Sequence, residues 1–373
     1  RQLSLTSKCS AKVNEIFEYD KDPGPHFINP KVQELLKSIT RIRLDKVYRK
    51  RNVPDNSIEY EFLTTEAVEK KFKESLRKAE EFLQMPPIVK VKFDEHKIIS
   101  KDPALTQFSD AKYIITDITF GLKDSQRKVL IRQTDGTLEH APLHIHKRMN
   151  QTYFPIPGRK IRIPKMFEAD NLDNCLQQGN YEFILDRLCV QFEPYEKEFH
   201  DISAKVYLYI NENKKFDDLR STRHFGPMTF FFAWHKMIDD LLYDMIKRDY
   251  LRNGVELICL MYQLNGIPEN KNILNELKKH PESSVREHHE SALPQTTKDI
   301  HDEIKNAIGK SAEDFVSDEI CFTFIHDYVN SKALKKTQLE LALQTYKESN
   351  DEKKKLYEGL VKAHGIKYKR IYY

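Results

Sequence analysis

Along most of this 373-residue chain the apolar residues recur three and four positions apart, and between residues 112 and 142 that spacing gives way to dense β-branched and aromatic runs. The first pattern lays a stripe along an α-helix and the second suits short strands, so a mostly helical protein with one small sheet is required. Eleven glycines among many Lys, Glu, Leu and Gln residues push the same way. A single core normally splits at this length, which predicts more than one packing unit. The predicted fold class is mainly α: an antiparallel helical stack with a small antiparallel β-hairpin or sheet insertion.

The chain divides into six stretches. Residues 1–28 contain DKDPGPH and no sustained period, and read as an extended N-terminal arm. Residues 29–105 read as an N-terminal helical region. There Asn29 caps a helix with Pro30 in its first turn, and Val32, Leu35, Leu36, Ile39 and Ile42 form one stripe. A second helix from about Thr65 to Gln84 carries Val68, Phe72, Leu76, Ala79 and Leu83 on one face before MPP stops it. Residues 106–166 form a small β-containing region, with YIITDITF, KVLIRQ and LEHA around a turn at Asp135 and Gly136. After a short helical piece, three prolines hold TYFPIPGRKIRIPK extended, sending Arg159 to one side and Lys160 with Arg162 to the other. Residues 167–264 are a central helical unit, 265–300 a polar connector, and 301–373 a C-terminal helical unit with a basic tail.

The sequence carries no recognisable catalytic or metal-binding motif. The five cysteines lie far apart and no two share the spacing of a thiolate metal site or redox pair, which reads as buried thiols in a reducing compartment. Gly309, Lys310 and Ser311 imitate the end of a phosphate-binding loop, but Ile304 stands where that loop needs glycine. His144 with His146, and His288 with His289, lack a third ligand at metal-site spacing. Adjacent acids such as Asp239 with Asp240 diverge on a helix and read as solvated surface rather than an acid–base dyad. The run MTFFFAW is far shorter than the roughly 20 residues of a membrane span and reads as core. No enzyme activity, cofactor, metal, membrane or small-molecule substrate is expected.

Basic clusters remain. With a net charge of +4, any nucleic-acid affinity must come from local groups. The RNA-contact candidates are Arg41, Arg43, Arg49, Lys50 and Arg51 at the end of the first helix; Arg159, Lys160, Arg162 and Lys165 in the proline-rich segment; Arg220 and Arg223 before Gly226 and Pro227; and Lys367, Lys369 and Arg370 among the tail tyrosines. A solvated face is the usual fate of a charge run. For Arg220 and Arg223 two readings stand level: phosphate contact, or pairing with Asp217 and Asp218 at a helix end.

The segment KFDDLRSTRHFGPMTFFF, with MIDDLL downstream, resembles the family of metazoan mitochondrial small ribosomal subunit protein twenty-two. PKVQELLKSIT, LQMPP, KYIITDITF, TYFPIPGRK, VQFEP and LALQTY look like that family's landmarks in the same order. The resemblance implies a structural protein of the mitochondrial ribosome's small subunit, in the matrix, with other small-subunit proteins and rRNA as partners. A chain beginning at Arg1 then fits removal of a transit peptide. The alternative is a free helical adaptor that binds one protein partner in the groove of its middle unit.

Overall fold

The computed structural model describes residues 19–49, 60–93, 97–106, 109–267, 310 and 312–363, with the single positions Ile273 and Glu276. Most of the arm, Lys50, Arg51, most of the connector, His288, His289, Gly309, Ser311, Lys367, Lys369 and Arg370 lie outside the described residues. The described helices are α1 (Gly24–Ile28), α2 (Pro30–Thr40), α3 (Leu44–Val47), α4 (Thr65–Phe82), α5 (Leu143–Tyr153), α6 (Ala169–Gln177), α7 (Tyr181–Gln191), α8 (Lys197–Asn213), α9 (Phe216–Leu219), α10 (Phe225–Trp234), α11 (Asp239–Lys247), α12 (Leu251–Leu264), α13 (Ala312–Ser331) and α14 (Lys336–Ala363). Among the described residues there are four strands: β1 (Ile98–Lys101), β2 (Tyr113–Thr116), β3 (Val129–Arg132) and β4 (Thr137–His140). Two compact units emerge, one from residues 1–24 with 86–209, the other from 25–85 with 210–373.

In the first unit the strands make an antiparallel sheet in the order β1-β4-β3-β2. Its hairpin turns where the Asp-Gly signal falls. Asp135 accepts from the Thr137 N–H at 3.1 Å and its hydroxyl at 2.8 Å. Gly136 has φ +79°, and a Cβ there would lie 2.2 Å from the Asp102 carbonyl, so both conformation and space exclude a side chain. Strand β1 was not visible in the sequence pattern: its four residues are all exposed and show no alternation. A bolt of the same unit is Arg127, buried, with its guanidinium 3.4 Å over the Phe154 ring and donating to the Thr119 and Leu122 carbonyls. Leu172, Leu176, Ile184, Leu185, Leu188 and Val206 supply the helical core.

The second unit is built on α12, whose residues from Val255 to Tyr262 are all buried. Helices α2, α10, α11 and α13 pack on it, and α14 packs on α11 and α13. The FGPMTFFFAW segment is therefore core, buried from Phe225 to Ala233. Pro227 stands in the first turn of α10, where its missing N–H costs nothing. A Cβ on Gly226 would sit 2.0 Å from the Met85 sulfur, so the glycine is what admits that methionine. Helix α2 begins as expected, the Asn29 side chain accepting from the Lys31 N–H at 3.0 Å. It ends early. Arg41 takes φ +55°, the stripe stops at Ile39, and Ile42 is exposed rather than buried.

Candidate nucleic-acid interface

The cluster at 41–51 splits once the helix breaks. The positive φ of Arg41 turns its side chain back onto the unit, where the guanidinium lies 4.2 Å over the Tyr250 ring and Nη1 donates to Asn253 Oδ1 at 3.0 Å. Asn253 Nδ2 donates to the Ser38 carbonyl at 3.3 Å and to Glu256 Oε2 at 3.0 Å, while the Ser38 hydroxyl donates to Glu256 Oε1 at 2.8 Å. Arg41 thus makes its side-chain contacts within the fold. Arg43 lies 3.3 Å from Asp45 and 3.9 Å from Asp217, and Lys46 donates to the Asp217 carbonyl. Arg49 is exposed.

The cluster at 220–224 centres on a fully buried guanidinium. Arg220 Nη2 donates to Asp244 Oδ2 at 3.0 Å, Nε stands 3.4 Å from Asp217 Oδ1, and the rings of Phe225 and Tyr250 lie 5.0 and 5.1 Å from Cζ. Arg248 closes the group, its Nε 3.0 Å from Asp244 Oδ1. Burial pulls the Arg220 pKa below the usual arginine value, while Asp244 and Asp217 oppose that shift. Of the two level readings the structure takes the carboxylate one: Arg220 has no exposed surface to offer a phosphate. Arg223 is half-buried, with Nε donating to His224 Nε2 at 3.4 Å.

The segment at 159–165 is different. Residues 159–164 form no strand, and the chain bends at Ile161 and Arg162, so the expected alternation of sides does not apply. Arg159 is drawn in, its Nε donating to the Val190 carbonyl at 3.0 Å and its Nη2 to Glu193 at 2.8 Å. Lys160, Arg162 and Lys165 are exposed, and among the described residues their side chains make no ion pair or hydrogen bond.

The residues that sequence reasoning missed are acids. Asp239 and Asp240, read as solvated, are buried. Asp239 Oδ2 accepts the N–H groups of Leu334 and Lys335 at 2.8 and 2.9 Å, and its Oδ1 accepts the Tyr328 hydroxyl at 3.1 Å, so it caps the start of α14 from another helix. Asp240 takes the Lys335 ammonium at 2.6 Å. A signal did exist: MIDDLLYDM sets three acids among core residues, where carboxylates need partners. Lys310, from the failed phosphate-loop match, donates to Asp318, Tyr346 and Asn350 at 2.6, 3.1 and 3.0 Å. His144 and His146 lie on helix α5 rather than a strand, and His146 Nε2 meets the Arg127 carbonyl at 2.9 Å. Among the described residues no group of three or more His, Cys, Asp or Glu is placed to hold a metal, and no helix is long and apolar enough to cross a membrane.

Residues 25–266 match the family described as mitochondrial 28S ribosomal protein S22. Among known proteins the chain is similar to small ribosomal subunit protein mS22 of Mus musculus, 31% identical over 241 residues, and of Bos taurus, 30% identical over 241 residues. Each comparison covers 65% of this chain and 67% of the relative. LALQTY in α14 lies outside the matched residues. The landmarks from PKVQELLKSIT to VQFEP and the LRSTR segment all fall inside them. With a family match over more than half its length, this chain belongs to the mitochondrial ribosomal protein S22 family.

Proposed function

We propose that the chain is a structural, non-enzymatic constituent of the small subunit of the mitochondrial ribosome, working in the matrix in support of mitochondrial translation. It is held there chiefly by other small-subunit ribosomal proteins and touches small-subunit rRNA at a few basic points on its edge. The family match over residues 25–266 carries this reading. Its restrained charge supports the balance of partners, since a +4 chain is poorly suited to coat RNA. So does the inward turn of Arg41, Arg159 and Arg220, which spends three of the candidate cations on contacts within the fold.

Depletion of the protein from cells tests the proposal. Small subunits and the synthesis of mitochondrially encoded proteins should both fall, while assembled large subunits persist. Normal small-subunit levels after depletion would contradict it.

A further inference from the structure

We infer that residues 160–165 form a preset grip for the phosphate backbone of folded RNA, in which Lys160, Arg162 and Lys165 neutralise phosphates and Arg159 anchors the loop without touching RNA. The inference rests on the proposed function and names one of its RNA contacts. Anchors from α5 and α7 fix the loop's base. From α5, Gln151 Nε2 donates to the Arg159 carbonyl at 3.1 Å. From α7, Arg187 Nη1 donates to the Gly158 carbonyl at 2.7 Å, and Gln191 clasps the Lys160 backbone from both sides, accepting its N–H at 3.0 Å and donating to its carbonyl at 2.7 Å. The Arg159 fork holds the Val190 carbonyl and Glu193.

Beyond that base the chain bends outward. It presents three cations and no acid in six residues, each cation without a side-chain partner among the described residues. Two nearby acids are engaged elsewhere: Glu168 accepts from Asn171 Nδ2 at 3.3 Å, and Glu193 on the anchoring side pairs with Arg159, while Asp170, five positions beyond Lys165, is exposed. On α4, three of the exposed cations are paired, Lys71 with Glu61, Arg77 with Glu81 at 2.6 Å and Lys78 with Glu74 at 2.9 Å, and these three serve as the comparison. An anchored backbone lowers the ordering cost of binding, and clustered unpaired cations are complementary to a polyanion. Ile161 and Ile163, 61% and 56% exposed between the cations, give the loop apolar surface that ribose faces can cover.

The test measures binding of the full chain to a labelled RNA stem-loop of arbitrary sequence across a salt series, with sedimentation of the same variants in mitochondrial extracts. Replacing Lys160, Arg162 and Lys165 with Gln should reduce the magnitude of the log–log salt slope by about 2 to 3, so that the variant loses about 16- to 64-fold less affinity over a fourfold rise in salt. Replacing Lys71, Arg77 and Lys78 with Gln removes as much charge and should leave the slope unchanged. Arg159→Gln should lower thermal stability and weaken RNA binding with a smaller change in slope. An unchanged slope in the loop variant, or an equal change in the α4 variant, overturns the inference. Loss of the loop variant from small subunits with an unchanged RNA slope would assign the loop to a protein partner and overturn it as well. If the wild-type chain fails to sediment with small subunits, the proposed function fails, and the RNA slope still decides the loop.

Discussion

Arg220 shows why a charged residue's type says little about its task until its surroundings are known. Its guanidinium is fully buried and held by Asp244 and Asp217, whereas Arg248, bound to the same Asp244, is 39% exposed. Removing one partner of a buried pair strands the other charge, but an exposed pair is screened by water. Asp244→Ala should therefore cost about 3 to 5 kcal/mol, and Arg248→Ala under about 1 kcal/mol. Urea unfolding of the two variants measures both, and equal losses would contradict this division. Cys321 on α13 makes a second case: its thiol is buried, and burial, aided by Asp318, pushes its pKa up to about 12. Cys321 should resist alkylation in the native protein at neutral pH and react on denaturation, with mass spectrometry reading the site.

At the scale of elements, the sequence was legible wherever the cause of an element lies within the element. Asn29 with Pro30 marked the start of α2, and Asp135 with Gly136 marked the hairpin. Illegible features depend on distant partners. The break at Arg41 is held by Tyr250 and Asn253, and the cap of α14 comes from Asp239, which lies 95 positions before Leu334. Periodicity reports which face a residue occupies and carries no information about what will stand opposite. The buried acids of α11 were misread as solvated for that reason, and β1 was missed because it buries nothing that would make it alternate. Two substitutions probe these elements. Asp239→Ala removes three hydrogen bonds to a carboxylate and should cost at least about 1.5 to 3 kcal/mol, with hydrogen exchange rising at the start of α14. Gly136→Ala should destabilise the sheet of the first unit, by at least about 1 to 3 kcal/mol, because the Asp102 carbonyl occupies the space. Exchange in α14 no faster than wild type, or an unchanged sheet, would refute the respective account.

At the scale of the whole molecule, the helical class and its sheet insertion followed from the spacing of apolar residues. The two units did not, because each joins stretches distant in sequence and a left-to-right reading yields consecutive blocks. The candidate RNA sites were legible as charge and illegible as exposure: Arg41, Arg159 and Arg220 turn inward for reasons that lie elsewhere in the chain. Both units also bury tyrosines whose pKa burial raises: Tyr207 in the first, Tyr328 and Tyr346 in the second, the last two with Asp239 and Asp318 adding to the shift. In the unfolded chain these groups release protons near about pH 10, whereas the folded chain retains them. The unfolded state thus binds fewer protons above that pH, and stability falls as pH rises. Each tyrosine should remove about 1.4 kcal/mol per pH unit, so alkaline unfolding and tyrosinate absorbance should appear together. Tyrosinate from all three while helix content stays intact would contradict their burial. Membership of the small ribosomal subunit is tested most directly by sucrose-gradient sedimentation of mitochondrial extract. The protein should travel with the small ribosomal subunit and leave the light fractions nearly empty; a protein found only in the light fractions, away from the subunit, would be a free adaptor and would contradict the account.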